Sequence, residues 1–116
     1  MDIEIYIINF PNDLIRRCFM EAQLEKEDLD GTIIEGINGY KLQDDSIEIN
    51  MDRKLFRKLK KGEVGCLLSH LKCYKKALNS KLDEVLIMED DTYLKPNFKK
   101  NLEKVYYKAP SDWDIL

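Results

Sequence analysis

The stretch VLIMEDD, residues 85–91, leads from an apolar run directly into three consecutive acids, Glu89, Asp90 and Asp91. Carboxylates held this close repel one another, and a divalent cation bound between them removes that repulsion. Oxygen ligands of this kind suit Mg²⁺ or Mn²⁺. In an extended segment, residues 89 and 91 point to one side and residue 90 to the other. Glu89 and Asp91 could therefore hold a metal together, with an acidic turn that merely ends a strand as the alternative.

A second candidate lies in GEVGCLLSH, residues 62–70, where two glycines open a predicted helix. Free backbone N–H groups at such a helix start could bind an anion. Ser69 precedes His70, the only histidine of the chain. Adjacent residues of a helix do not face each other, so this pair does not indicate a Ser–His–Asp triad. A structural histidine remains the alternative to a ligand role for His70.

Basic residues occur in two places where they could meet an anion. Arg16 and Arg17 follow the first predicted strand, and one of them could reach a phosphate at the edge of the sheet. The segment RKLFRKLKK, residues 53–61, could meet phosphates, anionic lipid or nucleic acid, although a solvated helix face explains it equally well. The chain has no recognisable nucleic-acid-binding module, so we expect no nucleic-acid partner.

The three cysteines, Cys18, Cys66 and Cys73, are odd in number and form no CxxC pair. If Cys66 and Cys73 share a helix, they lie about 10 Å apart along it. That distance exceeds the limit of about 7 Å between the Cα atoms of a disulfide. All three are interpreted as small, reduced and partly buried residues, with a metal or redox role as the alternative.

Four apolar segments predict strands, at residues 2–10, 32–37, 84–88 and 112–116. The first becomes wholly apolar, which is typical of a strand covered on both faces. Asn38-Gly39 predicts a turn after the second strand. The chain stops within the fourth predicted strand, which favours a piece of a larger domain.

Three stronger helical patterns separate these strands. The first starts at a cap formed by Asn12 or Asp13, the second runs to about Ser80, and the third starts at Asn97. Residues on one face of the first are Leu14, Ile15, Cys18, Phe19 and Ala22. The predicted buried stripe of the second is Leu67, Leu68, Leu71, Tyr74 and Leu78, and that of the third is Phe98, Leu102, Val105 and Tyr106.

Alternation of strands and helices predicts one α/β domain over residues 1–116, with a mostly parallel sheet. Its 116 residues, 44% of them hydrophobic, suffice for one core. Charged residues make up 35% of the chain, the net charge is −3, and no apolar stretch approaches the ~20 residues of a membrane span. The N-terminal residues are acidic rather than basic, so we expect no signal peptide and a cytoplasmic protein. Ligands of such sheets bind beyond the carboxyl ends of the strands.

The block GEVGCLLSHLKCYKKALNSKLDEVLIMEDDTYL, residues 62–94, resembles the centre of glycosyltransferase family 25, the lipooligosaccharide and collagen galactosyltransferases. In that family a Gly-Glu-Ile-Gly-Cys…Ser-His helix precedes a strand ending in Glu-Asp-Asp. The segments IYIINF, EGINGYKL and PSDWDIL agree with the family in order. The chain departs from it at Phe10-Pro11-Asn12, where Leu-Asp-Arg is usual, and at Asn38, where Asp is common.

The resemblance implies a GT-A-like, Rossmann-type fold that transfers a hexose, often galactose, from a UDP-sugar to a saccharide or hydroxylated acceptor. Mn²⁺ or Mg²⁺ would assist the reaction, with inversion at the sugar. By the same similarity Glu89-Asp90-Asp91 looks like the Asp-x-Asp signature, in which Asp91 and Glu89 would be the metal ligands. The implied donor-binding residues are Asn9, Arg16, Ser69, His70, Glu89 and Asp90.

The family's domain continues past residue 116, and the resemblance places the catalytic base in that further part. A truncated, non-catalytic donor-binding or interaction domain with the same fold is the alternative function. Peripheral contact with a membrane and the oligomeric state remain open.

Overall fold

A computed structural model of the chain describes residues 2–42 and 58–116. Its elements are β1 (Glu4–Asn9), α1 (Leu14–Lys26), β2 (Thr32–Glu35), a short 3₁₀ helix (Gly39–Lys41), α2 (Lys61–Asn79), β3 (Val85–Glu89) and α3 (Phe98–Lys108). Most of the basic segment 53–61 lies outside the described residues.

The three strands form one parallel sheet in the order β2-β1-β3. Ile7 of β1 pairs with Ile33 on one side and with Met88 on the other. Because the chain leaves β1 towards β2 and later returns to the opposite edge, the order reverses between β1 and β3. In open α/β sheets the crevice at such a reversal is where ligands bind. The predicted α/β class with a parallel, Rossmann-like sheet is confirmed.

Alternate residues of the strands pack on opposite faces of the sheet. Ile5, Ile7 and Met88 form one core cluster with Met20 and Leu24 of α1. The second cluster joins Tyr6 and Ile34 to two side chains of α2, Cys73 and Ala77. Helices α1 and α2 therefore cover opposite faces, and β1 is buried on both sides, as its apolar sequence predicts.

The buried faces of the helices differ from those expected. In α1 the buried side chains are Met20 and Leu24, whereas Leu14 and Ile15 are 63% and 85% exposed. The first turn of α1 borders an open cleft instead of the sheet, because it lies beyond the carboxyl end of β1. Cys18 and Ala22 are exposed as well, so the face on which they lie is turned to solvent.

Helix α2 buries a stripe rotated from the predicted one. Its buried side chains include Val64, Leu68, Cys73 and Ala77. Tyr74 and Leu78, expected in the core, are 45% and 74% exposed, so that part of the prediction is wrong. The side chains of α2 that pack against Tyr6 and Ile34 of the sheet are the small residues Cys73 and Ala77.

The C-terminal part of the chain also departs from expectation. Residues 112–116 form no strand, and Ile115 and Leu116 are 86% and 62% exposed. A turn closed by the hydrogen bond from the Trp113 amide to the Pro110 carbonyl occupies residues that would have begun the strand. In α3 no residue is fully buried, and Val105 of its predicted face is 55% exposed. Among the described residues, none of the helices combines the length and the apolar character that a membrane crossing needs.

Candidate functional site at the carboxyl ends of β1 and β3

Two polar side chains meet where β1 and β3 end. Ile8 pairs with Glu89 in the sheet, so the next residues, Asn9 and Asp90, lie side by side. The Asn9 side-chain amide donates to Asp90 Oδ2 at 2.9 Å and to the Asp13 carbonyl at 3.1 Å. Asn9 is only 2% exposed and Asp90 only 7%, so this hydrogen bond is shielded from water.

Helix α1 places Arg16 against the same carboxylate. Asp13 caps the helix by accepting from the Arg16 amide at 3.1 Å, which fixes the first turn beside β3. From there the Arg16 guanidinium reaches Asp90 Oδ1 at 3.3 Å and Asp13 Oδ2 at 3.5 Å. The Arg16 side chain is still 53% exposed, so part of its hydrogen-bonding capacity faces solvent. Arg17, the other predicted candidate, pairs with Glu21 instead.

Glu89 points to the other face of the sheet, towards α2. The Cys66 thiol donates to Glu89 Oε1 at 3.0 Å, and His70 Nε2 lies 3.4 Å from the same oxygen. The hydrogen bond to Glu89, then burial and the negative charges of Glu89 and Asp91, raise the pKa of Cys66 to about 11. The thiol hydrogen bond and His70 lower the pKa of Glu89, against the opposing effect of burial.

Ser69 joins α2 to the loop that follows β2. Its hydroxyl donates to the Gly65 carbonyl at 2.7 Å and accepts from the Ile37 amide at 2.8 Å. The two backbones approach so closely that a Cβ on Gly65 would lie 2.5 Å from the Ile37 carbonyl oxygen, and one on Gly39 would collide with the Lys61 carbonyl. The glycine at position 65 thus serves this close approach.

A cavity of about 350 Å³ lies in front of these groups. Its lining includes Arg16, Cys66, Glu89, Asp90 and Asp91. A second, more open cleft of about 670 Å³ adjoins it, and the two share Phe10, Ile37 and Asn38. Over the described residues, both volumes fall within the range of roughly 300–1,000 Å³ typical of ligand pockets.

The structure brings most of the predicted site residues together. Asn9, Arg16 and Asp90 form one connected group, and Glu89 and Asp91 line the same cavity. Ser69 borders that cavity, but both of its hydrogen bonds go to the protein backbone. His70 contacts Glu89 and stacks edge-on against Tyr74, and it is not part of the described lining. The turn predicted at Asn38-Gly39 is present, with Asn38 capping the 3₁₀ helix.

Cys66 is the site residue that sequence reasoning missed. It lies four positions before His70 on α2, so both side chains share one helix face and both reach Glu89. Its signal in the sequence is the i, i+4 spacing of a cysteine and a histidine, whereas the expected donor-pocket residues Ser69 and His70 are adjacent. All three cysteines are free, as expected, but the partial burial expected for them is wrong for Cys18 and Cys66, which are exposed.

The charges at the cavity favour a cation. Among the described residues, Glu89, Asp90 and Asp91 contribute three carboxylates to the cavity lining, against one guanidinium, that of Arg16. Asp90 is paired with Arg16 and Asn9, so the acids that could hold a divalent ion are exposed Asp91 and Glu89, whose Oε1 already contacts Cys66 and His70. Their oxygen atoms fit the preference of Mg²⁺ and Mn²⁺. An anionic ligand could enter this acidic cavity once a bound cation offset its charge.

Comparison with known proteins gives consistent matches. A family model described as glycosyltransferase family 25 (LPS biosynthesis protein) matches residues 2–116. Procollagen galactosyltransferase 2 of Homo sapiens is 32% identical, and that of Mus musculus is 31% identical, over 97% of this chain and 20% of theirs. Inactive glycosyltransferase 25 family member 3 of Homo sapiens is 29% identical over 97% of this chain and 21% of its own. The chain thus spans about a fifth of the length of these curated relatives.

Proposed function

This chain belongs to glycosyltransferase family 25, and on that basis we propose that it binds the nucleotide-sugar donor of a hexosyltransferase. The donor is a UDP-sugar, and the transferred group is a hexose such as galactose. The observation that carries the proposal is the cavity at the ends of β1 and β3, which Glu89 and Asp91 line beside the buried Asn9–Asp90 pair and its half-exposed partner Arg16.

The diphosphate of the donor would lie in this cavity against Arg16 and a divalent cation. Arg16 keeps about half of its side chain exposed and can donate to a phosphate oxygen without releasing Asp90. Mn²⁺ or Mg²⁺ held by Glu89 and Asp91 would supply Lewis-acid stabilisation of the charge on the leaving UDP. Asp90 and Asn9 act by positioning, because they hold Arg16 and the end of β3 in place.

The remaining predicted residues, Ser69 and His70, act on the donor site indirectly, through the groups that they hold in place. Ser69 fixes the loop after β2 against α2, and this loop supplies Ile37, Asn38 and Gly39 to the cavity wall. His70 orients Glu89 from the side of α2. The acceptor in this proposal is a saccharide or a hydroxylated group, whose hydroxyl attacks the anomeric carbon of the donor.

The test is isothermal titration calorimetry of UDP into the 116-residue chain, with MnCl₂ or with EDTA. We expect binding that requires the metal and that is lost in Asp91→Ala. Asp83→Ala is the matched control, because it removes the same charge beside the opposite, amino end of β3. Binding that persists in EDTA would refute the metal part of the proposal. Failure of UDP to bind with the metal present would refute the donor site.

A second candidate function is a donor-binding or interaction domain without turnover. It is favoured by the similarity to a relative named inactive glycosyltransferase 25 family member 3. The two functions are distinguished by an assay that measures UDP release from a set of UDP-sugars. The assay uses the longest product that the gene encodes. Turnover above the Asp91→Ala background supports the transferase, whereas metal-dependent UDP binding without turnover supports the second candidate.

A further inference from the structure

We propose that Cys66, His70 and Glu89 form a binding site for a thiophilic divalent ion, of which Zn²⁺ is the best fit. The three side chains come from two elements, α2 and the end of β3. Within residues 2–42 and 58–116, they are the one group of three metal-ligating side chains whose donor atoms converge, all within 4.8 Å of one another. The site uses a soft sulfur donor, which sets it apart from the oxygen ligands proposed for Mg²⁺ or Mn²⁺.

The geometry is close to that of a zinc site. Cys66 and His70 are four residues apart on a helix, a spacing that places two ligands on one face. Glu89 Oε1 lies 3.0 Å from the Cys66 sulfur and 3.4 Å from His70 Nε2. Tetrahedral zinc, with bonds of about 2.3 Å to sulfur and about 2.0 Å to nitrogen or oxygen, holds its ligand atoms roughly 3.3–3.6 Å apart. The two contacts of Glu89 therefore need to shift by only a few tenths of an ångström, and the Cys66 sulfur lies within 4.8 Å of the His70 donor nitrogen.

The site is open to solvent on the cavity side. Cys66 is exposed, and the side chains of His70 and Glu89 are 29% and 48% exposed. Cys66 and Glu89 both line the cavity, so a fourth position on the metal faces it. Three protein ligands with one open position are typical of zinc sites that exchange a water or another ligand.

Binding exchanges the proton of the thiol for the metal. In the metal-free chain the Cys66 S–H donates to Glu89. On binding, the S–H bond breaks, a sulfur–zinc bond forms, and the proton leaves to buffer, with no change of oxidation state. Asp91 lies near enough to act on Cys66 electrostatically, so its negative charge favours the cation.

One consequence links this site to the donor site and rests on the proposed function. Both sites need Glu89, so a bound zinc ion would remove one ligand from Mn²⁺ or Mg²⁺. Zinc would then weaken metal-dependent UDP binding. The zinc site itself requires neither UDP nor transfer activity.

Co²⁺ titration of the reduced 116-residue chain tests the site, because thiolate bound to cobalt gives a charge-transfer absorption in the near ultraviolet. We expect this band to appear and to be removed by one equivalent of Zn²⁺. Cys66→Ser should abolish it, and His70→Ala should weaken cobalt binding by about tenfold or more. Cys18→Ser, at another exposed cysteine, should leave the band unchanged.

Circular dichroism of each variant checks that it is folded. If a folded wild-type chain gives no charge-transfer band, or if the band survives in Cys66→Ser, the three side chains form only a hydrogen-bonded group and the proposal is wrong. Asp91→Ala separates the two sites, since it should abolish Mn²⁺-dependent UDP binding and retain the cobalt band.

Discussion

The side-chain amide of Asn9 donates a 2.9 Å hydrogen bond to the Asp90 carboxylate across the ends of β1 and β3. This contact directs the middle acid of Glu89-Asp90-Asp91 into the protein, on the α1 side of the sheet. Glu89 meets Cys66 and His70 on the α2 side. Glu89 and Asp91 line the cavity and are the acids that a ligand there can reach, although one oxygen of Glu89 already contacts Cys66 and His70.

The Asn9–Asp90 contact predicts that Asp90→Ala destabilises the fold. It removes the acceptor of a buried amide, and an unsatisfied buried donor costs about 1–3 kcal/mol. The pairing of Asp90 with the half-exposed Arg16 adds little to this, since such ion pairs contribute about 0–1 kcal/mol. Urea-induced unfolding monitored by circular dichroism measures the change.

Two variants serve as controls for this prediction. Asp91→Ala removes an exposed carboxylate and should change the free energy of unfolding by no more than about 0.5 kcal/mol. Asp90→Asn keeps an oxygen that can accept a hydrogen bond from Asn9, so it should lose less free energy of unfolding than Asp90→Ala. Equal losses in the Asp90→Ala and Asp91→Ala variants would mean that the buried hydrogen bond is not the cause.

The close approach of α2 to the loop after β2 predicts opposite effects of alanine at two glycines. In Gly65→Ala the new Cβ would lie 2.5 Å from the Ile37 carbonyl oxygen and 2.6 Å from the Gly39 amide nitrogen. Both are backbone atoms, so the loop must move, at a cost of about 1–3 kcal/mol. At Gly62 the nearest atoms belong to the Tyr40 ring, at 3.7 Å or more.

Gly62→Ala is thus the matched control, and its higher helix propensity should stabilise the chain by up to about 1 kcal/mol. Thermal unfolding of both variants gives the comparison. If Gly65→Ala is as stable as Gly62→Ala, the loop after β2 can move at no cost in the free energy of unfolding. In that case the shape of the cavity wall would not depend on glycine at position 65.

Three of the four predicted strands and the opposite directions of Glu89 and Asp90 followed from the sequence. Alternation along β1 and β3 has a period of two, which needs no tertiary information. It places Met88 towards α1 and predicts that Glu89 and Asp90 point to opposite faces, as their partners on α2 and α1 show. An apolar run through Tyr6 and Ile7 likewise predicts the strand that is covered on both sides.

The buried faces of the helices could not be predicted from the sequence, because an apolar stripe does not determine how closely a helix packs on its sheet. In α2 the contact selects the small residues Cys73 and Ala77, so Tyr74 and Leu78 remain at the surface. The hydrogen bond between Cys66 and Glu89 could not be predicted from the sequence either. It joins positions 23 apart in the chain and depends on the register of α2 against β3.

The hydrogen bonds of Ser69 predict that Ser69→Ala weakens the fold more than it weakens donor binding directly. Alanine leaves the Ile37 amide without the acceptor it has at 2.8 Å, a loss of about 1–3 kcal/mol. Ser80→Ala, at the exposed end of α2, is the control and should change stability little. Unfolding in urea gives the loss, and UDP titration at a temperature where the variant is folded gives the affinity. Lost affinity with unchanged stability would instead indicate direct contact between Ser69 and the donor.

The raised pKa of Cys66 predicts slow alkylation of an exposed thiol. A pKa of about 11 instead of 9.0 leaves about a hundredfold less thiolate at pH 8, and the thiolate is the species that reacts. The rate should therefore keep rising with pH beyond 9, towards a midpoint near 11. Glu89→Ala removes the main cause of the raised pKa, the hydrogen bond and its charge, and should accelerate the reaction at pH 8. Mass spectrometry after iodoacetamide pulses measures the rate at each cysteine.

Cys18, exposed in the same chain, is the internal reference for this measurement. Cys73 is buried, so its reaction in the folded chain should follow the rate of neither exposed cysteine. The folded state is verified by circular dichroism at each pH, because unfolding would expose all three thiols together. In the native chain Cys66 should react more slowly than Cys18, and in Glu89→Ala the two rates should converge. If Cys66 reacts as fast as Cys18 before the substitution, the thiol does not hold its proton against Glu89, and the hydrogen bond between α2 and β3 is not formed in solution.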